Sequence, residues 1–181
     1  MHSAVAGARV RASSASKARA EAENLCYPDP QISNPPRSST AVLQNCNIYA
    51  RNPPNEINTI TAQARTNSNQ NTEIVIHNSQ VAAASDLKLI QSSVKTYLGR
   101  PWQKYSRTVF MKTVLGSSIA PVGWLEWDGN FALDTLYYAE YANTGRGSST
   151  ANKINWKGYH VLTSATDGSK FTVANFIVGN P

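Results

Sequence analysis

A short apolar pattern that occurs three times constrains the fold of this chain more than any other feature of its sequence. The pattern reads Val-Leu-Gln-Asn-Cys-Asn-Ile at residues 42–48, Val-Ile-His-Asn-Ser-Gln-Val at 75–81 and, more loosely, Val-Phe-Met-Lys-Thr-Val-Leu at 109–115. The copies are 33 and 34 residues apart. Stacking them on one another would bury aliphatic side chains against aliphatic side chains and align Asn45 with Asn78. The repeat therefore predicts a parallel β-helix.

Strand signals fill the chain after Thr40, so we expect an all-β domain over residues 41–181. Short β-branched and aromatic runs alternate there with Asn, Gly, Ser and Pro. An antiparallel sandwich is the alternative arrangement of the same runs. Near the end, residues 163–177 carry Phe171 and Phe176 at roughly helical spacing, which predicts a short C-terminal helix lying against the coil.

The first forty residues differ in composition from the rest of the chain. Residues 1–20 contain four Lys and Arg residues and no Asp or Glu, and they are rich in Ala and Ser. This composition is similar to that of an organelle transit peptide. Residues 28–40 contain four prolines among Ser, Asn and Asp, which is turn and linker chemistry. We expect residues 1–40 to form an atypical, disordered tail, with a short helix near residues 16–24. No apolar core of a secretory signal is visible in it.

The charge balance favours a negatively charged partner. The 181 residues contain 17 Lys and Arg against 11 Asp and Glu, a net charge of +6, which attracts polyanions over long range. Because the basic residues are scattered and form no stripe or basic helix, we expect no binding to nucleic acid. No apolar run is long enough to span a membrane. His77 and His160 lie far apart without nearby Cys or acids, so we expect them to be structural and predict no metal site.

The segment Leu98-Gly99-Arg100-Pro101-Trp102 contains the residues best suited to bind a ligand. A guanidinium can bind a carboxylate through two parallel hydrogen bonds, and an indole face can support a pyranose ring. This combination suits a sugar acid. The alternative is an arginine that braces a loop beside a core tryptophan. Trp124 and Trp127 could line the same groove, although tryptophans at such spacing also fill cores.

Several separate blocks of the sequence resemble one family. They read Leu-Gln-Asn-Cys-Asn-Ile-Tyr-Ala-Arg at residues 43–51, Lys-Thr-Tyr-Leu-Gly-Arg-Pro-Trp at 95–102, Ser-Arg-Thr-Val-Phe at 106–110, Gly-Trp-Leu-Glu-Trp-Asp-Gly-Asn-Phe at 123–131 and Gly-Tyr-His-Val-Leu at 158–162. Over about residues 41–180 the chain resembles the plant pectin methylesterases, or pectinesterases. The resemblance implies a right-handed parallel β-helix, of which this chain would be the C-terminal part, with N-terminal coils missing.

The resemblance also implies a function and a location. Members of the family hydrolyse the methyl esters of polygalacturonan and release methanol during cell wall modification, without a metal or cofactor. The resemblance thus implies that the chain is a carboxylic ester hydrolase, that pectin is its partner and that it is located in the extracellular cell wall. Arg100 would hold the nucleophilic Asp and the substrate, and Trp102 would contact the sugar. From its place in the sequence, Trp124 is a further candidate for the sugar contact. The resemblance further implies that Cys46 pairs with an upstream cysteine, for which Cys26 is the available candidate.

The two catalytic aspartates of the family have no counterpart in these 181 residues. The family segments that supply them read Gln-Asp-Thr-Leu and Asp-Phe-Ile-Phe-Gly, and neither occurs before residue 43. If Cys26 aligns with the family cysteine, Ser33 occupies the position of the nucleophile. We expect Asp86, Glu126, Asp128 and Asp134 to cap turns or pair with basic residues rather than to replace the missing acids. The chain is therefore predicted to be weakly active or inactive.

Two alternatives remain beside the esterase. The chain could be a non-catalytic, pectin-binding or vestigial β-helix that keeps Arg100, Trp102 and the positive charge. It could also be a truncated gene product whose exposed strand edge promotes aggregation.

Overall fold

The computed structural model describes residues 40–54 and 56–176. These residues form ten β-strands and three short helices. The strands are β1 (Ala41–Gln44), β2 (Asn47–Ala50), β3 (Ile57–Gln63), β4 (Ile74–His77), β5 (Gln80–Ala83), β6 (Lys95–Pro101), β7 (Arg107–Met111), β8 (Val114–Leu115), β9 (Tyr137–Tyr141) and β10 (Tyr159–Leu162). The helices are α1 (Ser85–Lys88), α2 (Ala165–Ser169) and α3 (Val173–Phe176).

The strands form three parallel sheets whose order follows successive coils of the chain. The first sheet has the order β1-β4-β7-β9-β10, the second β2-β5-β8 and the third β3-β6. The strand pairs in all three sheets are parallel. A chain that returns to the same sheet once per coil is a parallel β-helix. The predicted fold is confirmed, and the antiparallel sandwich is excluded for the described residues.

The pairing register is the one that the repeat predicts. Val42 lies opposite Val75, and Val75 lies opposite Val109. At the following turn, Asn78 Nδ2 donates a hydrogen bond of 2.6 Å to Asn45 Oδ1. Both residues have the left-handed backbone conformation, with φ of 46° and 57°, which Asn tolerates better than most residues. The aligned asparagines therefore fix the same turn in two successive coils.

Alternation along the first sheet separates an interior cluster from an outer one. The interior cluster is built around large buried side chains that include Leu98, Phe110, Trp124 and Tyr138. The outer cluster contains Val42, Val75, Val109, Met111, Ala139 and Phe171. Because strand side chains point alternately to opposite faces, neighbouring residues of one strand supply both clusters.

The C-terminal segment packs on the outer face of the first sheet, as predicted. It forms two short helices, α2 and α3, instead of one. Ser164 starts α2, since its Oγ accepts a hydrogen bond from the Thr166 amide at 3.1 Å. Phe171 follows α2 and is 3% exposed in the outer cluster. This contact anchors the end of the described chain to the coil.

Several predictions fall outside the described residues. These are the disordered tail, with its short helix near residues 16–24, and the positions of Cys26 and Ser33. They stay predictions, as does the division of the chain at residue 40. Within the described residues, none of the helices has the length and apolar character needed to cross a membrane.

Candidate functional site

Arg100 lies near the end of β6, in a strand that is pressed closely against its neighbours. It pairs in register with Ala62 of β3. A Cβ on the preceding Gly99 would lie 2.2 Å from Thr61 Oγ1 and 3.2 Å from Trp124 Cζ3. Glycine is therefore required here for close approach of β6 to β3 and to the interior tryptophan. This packing fixes the backbone from which Arg100 projects.

The Arg100 guanidinium lies over an aromatic ring and forms no ion pair with an acid of the described residues. Its Cζ is 4.6 Å from the centroid of the Trp127 ring, a cation–π contact. Its Nε is buried and has no hydrogen-bond partner among residues 40–54 and 56–176. Burial lowers the pKa of the guanidinium. Since a buried donor without a partner costs about 1–3 kcal/mol, this group is suited to receive an acceptor from a ligand.

Trp102 follows directly after β6 and is partly exposed. It stands two residues from Arg100, in the turn that leads to β7. The indole that contacts the guanidinium in this structure is Trp127, which is 36% exposed. The structure thus brings Arg100 together with Trp127, and it leaves part of Trp102 accessible in the adjoining turn.

The prediction of Trp124 as a sugar contact is wrong. Trp124 is 1% exposed, and its ring stacks on Tyr138 at a centroid distance of 4.2 Å. Phe110 meets it edge-on at 5.8 Å. Both contacts fill the interior, so no face of this indole is free for a pyranose ring. The alternative interpretation of Trp124 as a core residue is the one that holds.

Trp124 nevertheless helps to place Trp127. It forms a parallel bridge with Gly99, and the amide of Leu125 donates to the Gly99 carbonyl at 3.0 Å. The segment that carries Trp127 is therefore tied to the residue next to Arg100.

Of the four exposed acids that were weighed as substitutes for the missing aspartates, Asp86 pairs with a basic residue, as expected. Asp86 Oδ2 pairs with Arg51 Nε at 2.9 Å, and Oδ1 accepts from the Leu87 amide in α1. The hydrogen bond from Arg51 is the main cause that lowers the pKa of Asp86. Glu126, Asp128 and Asp134 are exposed and form no ion pair with another described residue.

Two buried carboxyl groups were not anticipated, and the first is Glu73. It is fully buried directly before β4, with Oε2 2.5 Å from Arg107 Nε. The two groups form an ion pair but no hydrogen bond, because neither Glu73 oxygen has a hydrogen-bond donor in suitable geometry among the described residues. Burial raises the pKa of Glu73 to about 7, against the opposing effects of Arg107 and Arg65. In the sequence an acid before an apolar strand is typical of a surface position, so no pattern predicts this burial.

The second buried carboxyl group is Glu140 in β9. Its Oε1 accepts hydrogen bonds from Trp124 Nε1 at 3.3 Å and from the Tyr159 hydroxyl at 3.0 Å. Lys153 Nζ lies 3.7 Å away, and both charged side chains are almost fully buried. The period of two in β9 places Glu140 on the same face as Tyr138, which was a usable signal. The Glu140 carboxyl group stabilises the interior, and no hydrogen bond or ion pair joins it to Arg100.

The histidines and Cys46 occupy packed positions. His160 stacks on Tyr137 at 4.5 Å, and burial lowers the pKa of both His160 and His77. Cys46 is 8% exposed, and its thiol donates to the Gln44 carbonyl. Because Cys26 lies outside the described residues, its pairing with Cys46 stays a prediction. The described residues contain no group of three or more His, Cys, Asp or Glu side chains arranged to hold a metal ion.

Comparison with known proteins identifies relatives over most of the chain. The sequence model of the pectinesterase family matches residues 37–180. Pectinesterase 2 from Citrus sinensis is 67% identical over 143 residues, which are 79% of this chain and 28% of that protein. The pectinesterase from Daucus carota is 54% identical over 143 residues, which are 78% of this chain and 45% of the relative.

Solved structures agree with these sequence relationships. The pectin methylesterase from carrot superposes with a TM-score of 0.76 at 54% identity, over 78% of this chain and 44% of that one. The enzyme from Aspergillus niger gives a TM-score of 0.59 at 27% identity, over 77% of this chain and 40% of that one. The chain thus spans between a quarter and a half of the length of these relatives. On the strength of the family match, the identities and the shared parallel β-helix, the chain belongs to the pectinesterase family.

Proposed function

We propose that the Arg100 site binds a galacturonate unit of pectin, with the guanidinium on the carboxylate and indole faces beside the sugar ring. The observation that supports this proposal most directly is the buried Arg100 Nε without a hydrogen-bond partner among the described residues, in a guanidinium held over Trp127. A carboxylate would satisfy this donor and a second guanidinium N–H together. Trp127 and the partly exposed Trp102 supply the apolar surface that pyranose rings prefer.

The reaction that we propose for the complete protein is hydrolysis of the methyl esters of polygalacturonan, with release of methanol in the plant cell wall. Support comes from family membership and from relatives named as pectinesterases. In this reaction a carboxylate attacks the ester carbonyl, and a second carboxyl group acts as acid and then as base. Arg100 would hold the nucleophilic carboxylate and the substrate in register. No metal or cofactor is needed for these steps.

We propose that the 181-residue chain carries out this reaction weakly or not at all. The chemistry needs one ionised and one protonated carboxyl group next to the ester. The family segments that supply them are absent from the 181 residues. Glu73 cannot replace them, since it is fully buried against Arg107. Glu140 is committed to Trp124 and Tyr159 in the interior.

Methanol release from highly methylated pectin tests this proposal. We expect a rate indistinguishable from that of the Arg100→Ala variant and of a blank. Turnover by the purified chain that disappears in Arg100→Ala would contradict the expectation and would show that acids of this chain complete the site.

Binding of pectin without cleavage is the second candidate function. The net charge of +6 favours it, as does the buried Arg100 Nε, which has no hydrogen-bond partner among the described residues. We expect retention on demethylated pectin that weakens with salt and is lost in Arg100→Gln and Trp102→Ala. Lys88→Gln serves as the control, because it removes one exposed positive charge from α1. Equal retention of all these variants would exclude a specific site.

A further inference from the structure

We infer that Gln63 is a positioning residue for the turn that carries Trp102. The turn comprises residues 102–106 and connects β6 to β7. The inference rests on the proposed function in one respect, namely that Trp102 contacts the bound sugar. The geometric part of it, that one buried amide holds both ends of the turn, does not depend on the ligand.

Gln63 lies opposite the start of the turn. It is the last residue of β3, pairs in register with Pro101 and is 3% exposed. Its backbone carbonyl accepts a hydrogen bond from the hydroxyl of Ser106, the last residue of the turn. Ser106 is itself fully buried, and its Oγ accepts from the amide of Gln103 at 3.2 Å. The main chain of Gln63 is thus joined to the turn at its beginning and at its end.

The side chain of Gln63 makes the second connection. Its Oε1 accepts from the amide of Arg107 at 3.0 Å and from the amide of Arg65 at 2.9 Å. The carbonyl of Arg65 in turn accepts from the amide of Tyr105 at 3.0 Å. One carbonyl oxygen therefore fixes the residue that follows the turn and the neighbouring loop that supports the turn from the side. On its other side the turn is held by the Tyr137 amide, which donates to the Ser106 carbonyl at 2.9 Å, and by the Thr135 hydroxyl, which donates to the Lys104 carbonyl. Neither of these bonds involves the loop at Arg65, which is joined to the turn on the Gln63 side.

The chemistry explains why an amide is needed at this position. Two backbone N–H groups converge on one acceptor in a buried place, and each would lose its partner if the acceptor were removed. An apolar side chain of the same length fills the space but satisfies neither group. A carboxylate would keep both hydrogen bonds. We therefore expect Gln63→Glu to preserve the turn, whereas Gln63→Met and Gln63→Asn should loosen it.

The consequence for binding follows from the place of Trp102. Arg100 belongs to β6, whereas Trp102 lies in the turn and belongs to no strand. Loosening the turn would leave the guanidinium in place and let the indole move. A sugar acid that uses both groups would then lose the ring contact and keep the carboxylate contact.

Hydrogen exchange tests the geometric part on the folded chain. In Gln63→Met, we expect the amides of residues 103–107 to exchange about tenfold or more faster than in the unmodified chain, as expected when buried amides lose their acceptor. In Gln63→Glu they should exchange at nearly the original rate. Thr113→Val is the matched control, since it removes a fully buried hydroxyl that donates to the Met111 carbonyl at 3.0 Å between β7 and β8. If Gln63→Met does not fold, Gln63→Asn replaces it, because its shorter side chain cannot reach both amides.

Affinity for demethylated oligogalacturonate tests the functional part. We expect a Kd about tenfold higher for Gln63→Met, the size of effect that losing one aromatic contact can have. Gln63→Glu and Thr113→Val should bind like the unmodified chain at temperatures where all are folded. Unchanged exchange in Gln63→Met, or an equal increase in Thr113→Val, would overturn the inference. If the unmodified chain binds no oligogalacturonate, the proposed function fails while the exchange result still decides the role of Gln63.

Discussion

At the scale of single residues, the sequence singles out the motif that we propose to bind the ligand, but it does not show which indole contacts Arg100. Arg100 and Trp102 are visible because a cation and an indole flank a proline in one short segment. The choice between Trp124 and Trp127 was not decidable from spacing, since residues 122–131 form no strand or helix whose period would assign faces. Only the packing of the interior shows that Trp124 fills the core and that Trp127 lies under Arg100.

Replacing Gly99 with alanine tests the close approach of β6 to β3. The new Cβ would lie 2.2 Å from Thr61 Oγ1, a hydroxyl that is fixed by its hydrogen bond to the Leu98 carbonyl. We expect Gly99→Ala to lower the free energy of unfolding by about 1–3 kcal/mol, as overpacking does elsewhere. The double variant Gly99→Ala, Thr61→Ala should be more stable than the sum of the single effects predicts, because it removes the clashing atom. Urea denaturation of the four chains measures this coupling, and additive effects would contradict the packing described.

The stacked asparagines offer a second prediction at this scale. Asn78 combines a positive φ of 46° with a side-chain hydrogen bond to Asn45. Asn78→Gly keeps the backbone conformation and loses the bond, whereas Asn78→Ala loses both. We therefore expect alanine to reduce the midpoint of thermal unfolding more than glycine, with a difference of about 1 kcal/mol in stability. A glycine variant less stable than the alanine variant would contradict this account of the turn.

At the scale of elements, the first three coils follow the sequence repeat and the later ones do not. The register shifts by 33 and 34 residues between β1, β4 and β7, as the repeat indicates. Arg107 then pairs with Tyr137 and Tyr138 with Tyr159, so the next coils are only 30 and 21 residues long. Coils of unequal length erase the sequence period although the strands still stack. The pair of Glu73 and Arg107 is likewise not visible in the sequence, since it joins residues 34 positions apart, and Arg107 also lies over the ring of Phe171 from a distant segment.

The Glu73 pair gives a prediction of stability against pH. The pKa of Glu73 in the folded chain is raised from the ordinary 4.5 to about 7 by burial. Because the folded chain binds this proton more tightly than the unfolded chain does, protonation of Glu73 stabilises the fold. The stabilisation is complete below about pH 4.5 and is lost as the pH rises through 7. This difference in pKa corresponds to about 3 kcal/mol in the free energy of unfolding. Arg107 lies over the rings of Tyr137 and Phe171, so the pair links β4 and β7 to the C-terminal segment.

Denaturation of Glu73→Gln at pH 5 and pH 8 measures this effect. The glutamine is neutral at both values, so we expect the variant to lose the decline in stability that the unmodified chain shows between them. Asp86→Asn is the control, because the pKa of Asp86 is lowered and its titration lies below this range. A Glu73→Gln variant with the same pH dependence as the unmodified chain would show that Arg107 keeps Glu73 ionised.

At the scale of the whole molecule, the fold could be predicted because a parallel β-helix buries apolar residues at the same positions of successive coils. The repeat alone predicted the stacking, and the resemblance to pectinesterases agreed with it; both the fold and the family are confirmed. Activity is a separate matter, because the proposed reaction would need acids that converge on Arg100. No described carboxyl group forms an ion pair with Arg100. The central claim is therefore that this guanidinium receives its anion from a ligand.

The NMR signal of the Arg100 Nε–H group, observed in 15N-arginine-labelled protein and assigned with Arg100→Lys, tests this claim most directly. We expect the signal to shift on titration with trigalacturonate and to remain unchanged with the fully methyl-esterified trimer. The shift should become smaller as salt is added. A signal that is unaffected by saturating trigalacturonate, or that moves equally with the ester, would contradict the account.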